Sequence, residues 1–144
     1  MSDSTLQAKG NAIYVETTQD WQTTPALGKL VTFSGGVPSI NASTTVPAVA
    51  VVLDARTRTA VGVTTYMNSL GILGGMPGPM RGLIDSGSVP LFFGDRVMQA
   101  ASGALTKEVT GSPRVVVGIV TDENGANPGD LTEITFITPC CLTY

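Results

Sequence analysis

The sequence predicts an all-β protein, built as a small barrel or sandwich with an extended N-terminal arm and one long Gly/Pro-rich loop. No segment of a dozen residues has helical apolar spacing. Short β-branched runs recur instead, and turn sequences such as Ser34-Gly35-Gly36 and Asn127-Pro128-Gly129-Asp130 separate them. Many short strands at this spacing are typical of barrels and sandwiches.

The β pattern covers residues 12–17, 29–33, 48–53, 60–66, 89–93, 96–100, 105–109, 115–121 and 133–138. Residues 48–53 are continuously apolar, and Val115-Val116-Val117 continues the same character. Such runs indicate burial on both faces of a sheet, so we expect these two segments to be central strands.

A chain of 144 residues has the size of one domain. We expect a single β domain over residues 28–144, preceded by a polar arm over residues 1–27 that stays extended until it meets a partner. Residues 66–87 mix apolar side chains with glycine and proline, and they are expected to form the long loop.

A weak internal repeat is visible. The stretch from Gly28-Lys29-Leu30-Val31 to residues 60–64 is similar to the stretch from Gly94-Asp95-Arg96-Val97 to residues 116–120. Each copy opens with a glycine and a strand and ends with a strand that contains Val-Gly. Two interpretations stay open at this point: a duplicated β topology, or a coincidence between common β patterns.

Charge and composition argue against several functions. The net charge is −3, and only Arg56 and Arg58 lie close together among the basic residues, so nucleic-acid binding is not expected. No apolar run approaches the length of a membrane span. The sequence has no histidine, and Cys140-Cys141 alone do not complete a zinc site. We therefore expect no catalytic residues, no metal and no cofactor.

The candidate partner-binding residues are apolar side chains of the arm and of the long loop: Tyr14, Trp21, Leu70, Ile72, Leu73, Met76 and Met80. Aromatic side chains bring large buried area at low entropic cost, which favours Trp21 as the anchor on the arm. Phe92 and Phe93 lie inside a strand pattern, so we expect one to face the core and the other the opposite side.

Gly94-Asp95-Arg96-Val97 and residues 101–106, 116–120 and 129–134 form a recurring pattern of Gly-Asp turns and Val-Gly-Ile strands. In this pattern the chain resembles the small capsid decoration, or cement, proteins of tailed phages. The resemblance covers the last third of the chain and, more loosely, residues 28–65.

The resemblance implies a β-barrel or β-tulip-like domain that is not an enzyme. It implies a homotrimer or other homo-oligomer on the exterior of the virion capsid, made in the host cytoplasm. The partner would be the major capsid protein, and binding would stabilise the head against internal pressure. The arm would add a strand to a sheet edge of the shell.

Two other function classes remain open. A receptor- or carbohydrate-binding β module of a phage tail or fibre would require an exposed aromatic platform or a polar cleft. An enzyme that uses only carboxylates, such as a glycosidase, would require two acidic groups facing each other across a cleft.

Overall fold

The structure, a computed structural model, describes residues 12–17, 20–22, 25–75, 78–111 and 113–142. These residues form two five-stranded antiparallel sheets and no helix, which confirms the prediction of an all-β barrel or sandwich. The strands are β1 (Ala12–Thr17), β2 (Leu30–Ser34), β3 (Val37–Ile40), β4 (Ala50–Ala60), β5 (Val63–Ile72), β6 (Met80–Leu83), β7 (Arg96–Gln99), β8 (Leu105–Lys107), β9 (Arg114–Val120) and β10 (Leu131–Leu142).

The two sheets have the same topology. The strand order is β1-β5-β4-β2-β3 in the first sheet and β6-β10-β9-β7-β8 in the second. Each strand of the second sheet therefore corresponds to the strand of the first sheet whose number is lower by five, so that β6 corresponds to β1 and β10 to β5. The weak sequence repeat therefore reflects a duplicated β topology, with a first unit over residues 12–75 and a second unit over residues 78–142.

The registers of the two units also agree. Equivalent cross-strand pairs are Leu30–Val51 and Arg96–Ile119, Val31–Ala50 and Val97–Gly118, and Val52–Leu70 and Val120–Ile134. The predicted end of the repeat is wrong at one landmark. Gly62 lies in the turn between β4 and β5, whereas Gly118 lies within β9 and corresponds to Ala50.

Buried side chains form two clusters. One belongs to the first unit alone and contains Trp21, Ala26, Val31, Ala50, Val52, Ala55 and Leu70. The larger cluster joins Leu30 and Val51 of the first unit to the interior of the second unit. Because successive residues of a strand face opposite sides, β2 and β4 contribute to both clusters and hold the two units together.

The described part of the predicted arm is not an arm. Residues 12–17 form β1 and pair with β5 along its whole length, from Ala12–Gly71 to Thr17–Tyr66. Trp21 is only 4% exposed and lies in the core of the first unit. The burial of a large indole and a full strand ladder fix this segment to its own sheet.

The predicted long loop over residues 66–87 is also wrong. It contains most of β5 and all of β6, and the connection between them covers residues 73–79. Its glycines permit close packing of strands: a Cβ added at Gly71 would collide with the sulfur of Met80, and one at Gly82 would lie 3.1 Å from Ile134 Cγ1. The mixture of glycine and apolar residues is thus a packing feature.

Candidate docking surfaces

Four of the predicted partner-binding residues are buried. Trp21 and Leu70 lie in the core of the first unit, and Leu73 and Met80 lie in the larger cluster. Their assignment to an exposed interface is wrong, because each fills a space between sheet faces. The sequence alone does not show which face of a sheet an apolar side chain occupies when the residue lies next to glycine or in a polar segment.

The remaining three predicted residues have different positions. Ile72 is partly buried and packs against the core of the first unit. Met76 lies outside the described residues. Tyr14 is 42% exposed on β1, an edge strand of the first sheet, so it alone among the described candidates is available to a partner.

Among the described residues, the most exposed aromatic side chains lie in residues 91–95, which we name the aromatic turn. Phe92 is 71% exposed and Phe93 is 63% exposed, whereas Leu91 is buried. The strand predicted over residues 89–93 does not form. Leu91 instead makes an isolated antiparallel bridge with Ala126, with N–H to oxygen distances of 2.8 and 2.9 Å. The expected division of the two phenylalanines between core and surface is therefore wrong.

The backbone of the aromatic turn is closed by several hydrogen bonds. The N–H of Phe92 donates to Asp95 Oδ2 at 2.8 Å, and the N–H of Asp95 donates to the carbonyl of Phe92 at 3.0 Å. Gly94, with φ of 90°, donates its N–H to the carbonyl of Val120 at 2.8 Å. Lys107 Nζ lies 3.5 Å from the same Asp95 oxygen. The two rings are thus carried on a preorganised backbone, which lowers the entropic cost of binding.

The duplicated topology provides an internal comparison for this turn. The equivalent turn of the first unit has Ala26 and Leu27 where the second unit has Phe92 and Phe93. Two of its backbone hydrogen bonds are the same: Lys29 N–H to Ala26 O at 3.0 Å, and Gly28 N–H to Val52 O at 2.9 Å. Closing the turn therefore does not require phenylalanine. Burying one phenylalanine stabilises a protein by about 1.5–3 kcal/mol, and the two exposed rings do not contribute this to folding. Adjacent exposed apolar side chains of this kind indicate a contact surface.

A second exposed apolar surface lies at the tip of the β4–β5 hairpin. β1 pairs only with residues 66–71 of β5, and β2 pairs only with Ala50 and Val51 of β4. The outer parts of β4 and β5, from Arg58–Thr65 to Ala60–Val63, therefore pair with each other and with no other named strand of the described residues. We name this two-stranded extension the ribbon.

The ribbon ends in a strained turn. Val61 and Gly62 have φ of 53° and 75°, as a two-residue type I′ hairpin turn requires. Such turns favour Asn-Gly, because a β-branched residue is strained at positive φ. Val61 is nonetheless fully exposed, with a relative accessibility of 102%, and the neighbouring Val63 is also exposed. A strained apolar residue at a fully exposed tip is a candidate contact position.

Several carboxylates of the described residues have hydrogen-bond partners that serve the fold. Asp85 and Asp122 each accept a hydrogen bond from the backbone N–H two residues later, at 3.0 Å. Glu108 accepts hydrogen bonds from Arg96 Nε at 2.8 Å and from Arg114 Nε at 2.9 Å. Burial acts to raise the pKa of Glu108, but the hydrogen bonds from Arg114 and Arg96 outweigh it, and the pKa is lowered.

Cys140 and Cys141 are both exposed on β10, and no group of three or more potential metal-ligating side chains gathers in the described parts of the chain. Within the same residues, no helix has the length and apolarity needed to cross a membrane. Comparison of the chain with protein-family models, curated proteins and solved structures finds no match.

Proposed function

We propose that this protein is a structural virion protein that binds the outer surface of a phage head, through the major capsid protein, and stabilises the head against internal pressure. It is made in the host cytoplasm and ends on the capsid exterior. The proposal builds on the resemblance of its turn and strand pattern to capsid decoration proteins, and on the exposed apolar surfaces of the fold.

The segments that carry the resemblance are neighbours in the second sheet. Residues 94–97 lead into β7, residues 101–106 form the β7–β8 hairpin, residues 116–120 belong to β9, and residues 129–134 begin β10. The pattern therefore corresponds to one continuous part of a sheet. This placement supports the proposal, because the closer part of the resemblance lies in a single packed module and is therefore more specific than scattered short matches.

The observation that carries the proposal is the ribbon with Val61 at its tip. A narrow two-stranded extension can enter a depression between capsid subunits while the sheets remain outside. Burial of Val61 and Val63 in such a depression would supply apolar contact area, at about 25 cal/mol per Å² buried. The hydrogen-bonded ladder behind the tip limits the entropy lost on docking.

Stabilisation follows from mass action. A protein that binds the assembled shell and not its separated subunits lowers the free energy of the assembled state, by RT ln(1 + [L]/Kd) at each site. Because a head presents many equivalent sites, modest affinity at each site adds up over the shell. No chemical step is needed for this function.

The experiment is binding to expanded phage heads. Purified protein is mixed with heads that lack it, the heads are sedimented, and the bound chain is quantified together with the temperature at which the heads release DNA. We expect binding that saturates at a fixed ratio to the major capsid protein and a higher release temperature. Absence of saturable binding, or binding without any rise in release temperature, contradicts the proposal.

One observation favours a second function. The exposed Phe92 and Phe93 satisfy the requirement of a receptor- or carbohydrate-binding module for an aromatic platform. Such a module would sediment with tails or fibres and would bind host cells or their surface glycans. Fractionation of virions into heads and tails, with the chain identified in each fraction, separates the two functions.

A further inference from the structure

The two units of the chain contact each other through a closely packed turn. The carbonyl of Gly28, in the turn of the first unit, accepts a hydrogen bond from the N–H of Leu83 in β6 at 3.0 Å. A Cβ added at Gly28 would lie 2.6 Å from Leu131 Cδ2 and 2.6 Å from Leu83 N. The turn of the first unit is thus seated at the free edge of β6, where it also packs against Leu131 on the outer face of β10.

The equivalent turn of the second unit has no such contact with the rest of the described chain. A Cβ added at Gly94, the counterpart of Gly28, would meet no atom of the described residues within 4 Å. Phe92 and Phe93 beside it are exposed. A two-fold arrangement of the units would have buried both turns alike. The contact between the units is therefore head to tail. Within the described residues, the turn of the second unit and the matching surface of the first unit are left without this contact.

The equivalence of the two sheets identifies the matching open surface. Leu70–Ile13 of the first unit corresponds to Ile134–Met80 of the second. The pair Leu131–Leu83 lies three residues further along the same two strands of the second unit, and it contacts the turn of the first unit. Its counterpart in the first unit is the pair Met67–Glu16. The open counterpart is therefore the outer face of β1 and β5 around Tyr14, Glu16 and Met67, which we name the acceptor face.

A groove lies on the acceptor face. It has a volume of about 130 Å³ and is lined by Glu16, Arg58, Ala60, Val63, Thr65 and Met67. Another groove, of about 220 Å³, lies between the two units and is lined by Leu27, Gly28 and Val52 with Leu53, Arg81 and Leu131. The two grooves share one equivalent position, Met67 in the first and Leu131 in the second. Leu27 and Phe93 each precede the turn glycine by one residue, so Phe93 is the side chain that corresponds to Leu27.

We propose that the aromatic turn of one chain docks on the acceptor face of a second copy of the chain, and so repeats between chains the contact that the two units make within one. Phe93 enters the groove beside Met67, and Phe92 covers the neighbouring surface towards Tyr14. A head-to-tail contact of this kind closes into a ring of chains or continues as a filament.

The occupant is a second copy because the interface continues one that the chain already contains. Both open faces carry exposed apolar side chains, with Phe92 and Phe93 on one and Tyr14 on the other. The inference does not rest on the proposed function. Self-association is measured without any phage head, so its failure and the failure of head binding are distinguishable.

The experiment measures the mass of the protein in solution by sedimentation equilibrium over a range of concentrations. A single chain has a mass of 14.8 kDa, and we expect an oligomer for the unaltered protein. Phe93→Asp, at an exposed position, should weaken association by roughly tenfold or more, because a charge replaces an apolar contact. Glu16→Lys and Met67→Asp on the acceptor face should do the same.

Val109→Asp is the matched control, because Val109 is exposed in the connection between β8 and β9 and belongs to neither face. It should leave the oligomer intact. Circular dichroism establishes that each variant is folded. Glu16→Lys changes a fully surface position, so it remains informative if Met67→Asp, at a half-buried position, does not fold.

Mixing two variants tests the head-to-tail geometry. Phe93→Asp chains keep an intact acceptor face, and Glu16→Lys chains keep an intact aromatic turn. A mixture should therefore form a two-chain complex whose free ends are blocked, although neither variant associates strongly alone. The proposal is overturned by a monomeric unaltered protein, by an unchanged oligomer of Phe93→Asp, or by a mixture that forms no two-chain complex.

Discussion

The carbonyl of Gly28 and the N–H of Leu83 are 3.0 Å apart, and this hydrogen bond joins the two units of the duplicated fold. Gly28 and Gly94 hold the same place in their units and both have positive φ, of 77° and 90°. Only Gly28 is enclosed by the other unit. Two glycines with similar φ therefore differ in whether a neighbouring sheet encloses them.

This relationship predicts unequal effects of alanine at the two positions. Gly28→Ala and Gly94→Ala should each lower the free energy of unfolding by about 1–2 kcal/mol, because an L residue is strained at positive φ. Gly28→Ala should lose about 1–3 kcal/mol more, because its Cβ would meet backbone and Leu131. Urea unfolding measures both. Equal losses would contradict the packed seat.

A second prediction concerns Trp21. Trp21→Ala should lower the free energy of unfolding by about 3–5 kcal/mol, because it leaves a cavity in the core of the first unit. Tyr14→Ala, on the exposed β1 edge, is the matched aromatic control and should cost about 1 kcal/mol or less. Chemical unfolding distinguishes them. A Trp21→Ala protein as stable as the control would show that the segment is a separable arm.

A third prediction separates the stability of the ribbon from its role in docking. Val61→Asn should raise the free energy of unfolding by about 1 kcal/mol, because asparagine adopts positive φ with less strain than a β-branched residue. The same change should weaken binding to phage heads. Val109→Asn, at another exposed valine, should leave head binding unchanged. Thermal unfolding measures the stability, and sedimentation with heads measures the binding. Unchanged head binding by Val61→Asn would show that the tip of the ribbon is not part of the contact.

A fourth prediction concerns Gln99, a buried side chain of the second unit that binds the β3–β4 connection of the first. Its Oε1 accepts from the N–H of Ala48 at 2.7 Å, and its Nε2 donates to the carbonyls of Val46 at 2.8 Å and Ser43 at 3.1 Å. Gln99→Ala should lower the free energy of unfolding by about 1–3 kcal/mol, because it leaves the buried N–H of Ala48 without a partner. Gln22→Ala, at an exposed position, is the control for urea unfolding and should be neutral.

A fifth prediction is a pH dependence of stability. The lowered pKa of Glu108 means that the folded protein binds this proton less readily than the unfolded chain, whose glutamate has the ordinary value of 4.5. The stabilisation is therefore present above pH 4.5 and is lost as the pH falls through the lower folded pKa. Glu108→Gln should flatten this part of the stability curve measured by urea unfolding, and Glu123→Gln, in an exposed turn, should not.

Local pattern predicted much of the fold. β1 has the predicted bounds, residues 12–17, and the continuous apolar runs at residues 48–53 and 115–121 lie in the buried central strands β4 and β9. The predictions failed at β3 and β6, which are short and contain proline or glycine. Both are edge strands, which pair with one neighbouring strand only and therefore form even where the residues have low strand propensity.

The candidate surfaces were predicted less well, and the two aromatic sites show why. Trp21 lies in a polar segment and is buried, whereas Phe92 and Phe93 lie in an apolar segment and are exposed. The alternation of side chains between the two faces of a sheet predicts which residues are buried only if the segment is a strand. Residues 91–95 are not a strand: Leu91 forms an isolated bridge with Ala126, and a turn follows it. Tyr14 remained as a surface candidate because an edge strand leaves its outer side uncovered.

The sequence by itself determined that the chain is all-β, where its central strands lie, and that a repeat runs through it, because strand propensity, apolar runs and turn glycines act over a few residues. Only the tertiary structure decided that the repeat is a duplicated topology, which apolar side chains are buried, and which turn is left open. Those properties depend on contacts between residues distant in the chain, such as Gly28 with Leu83 and Leu131, and no local pattern encodes them.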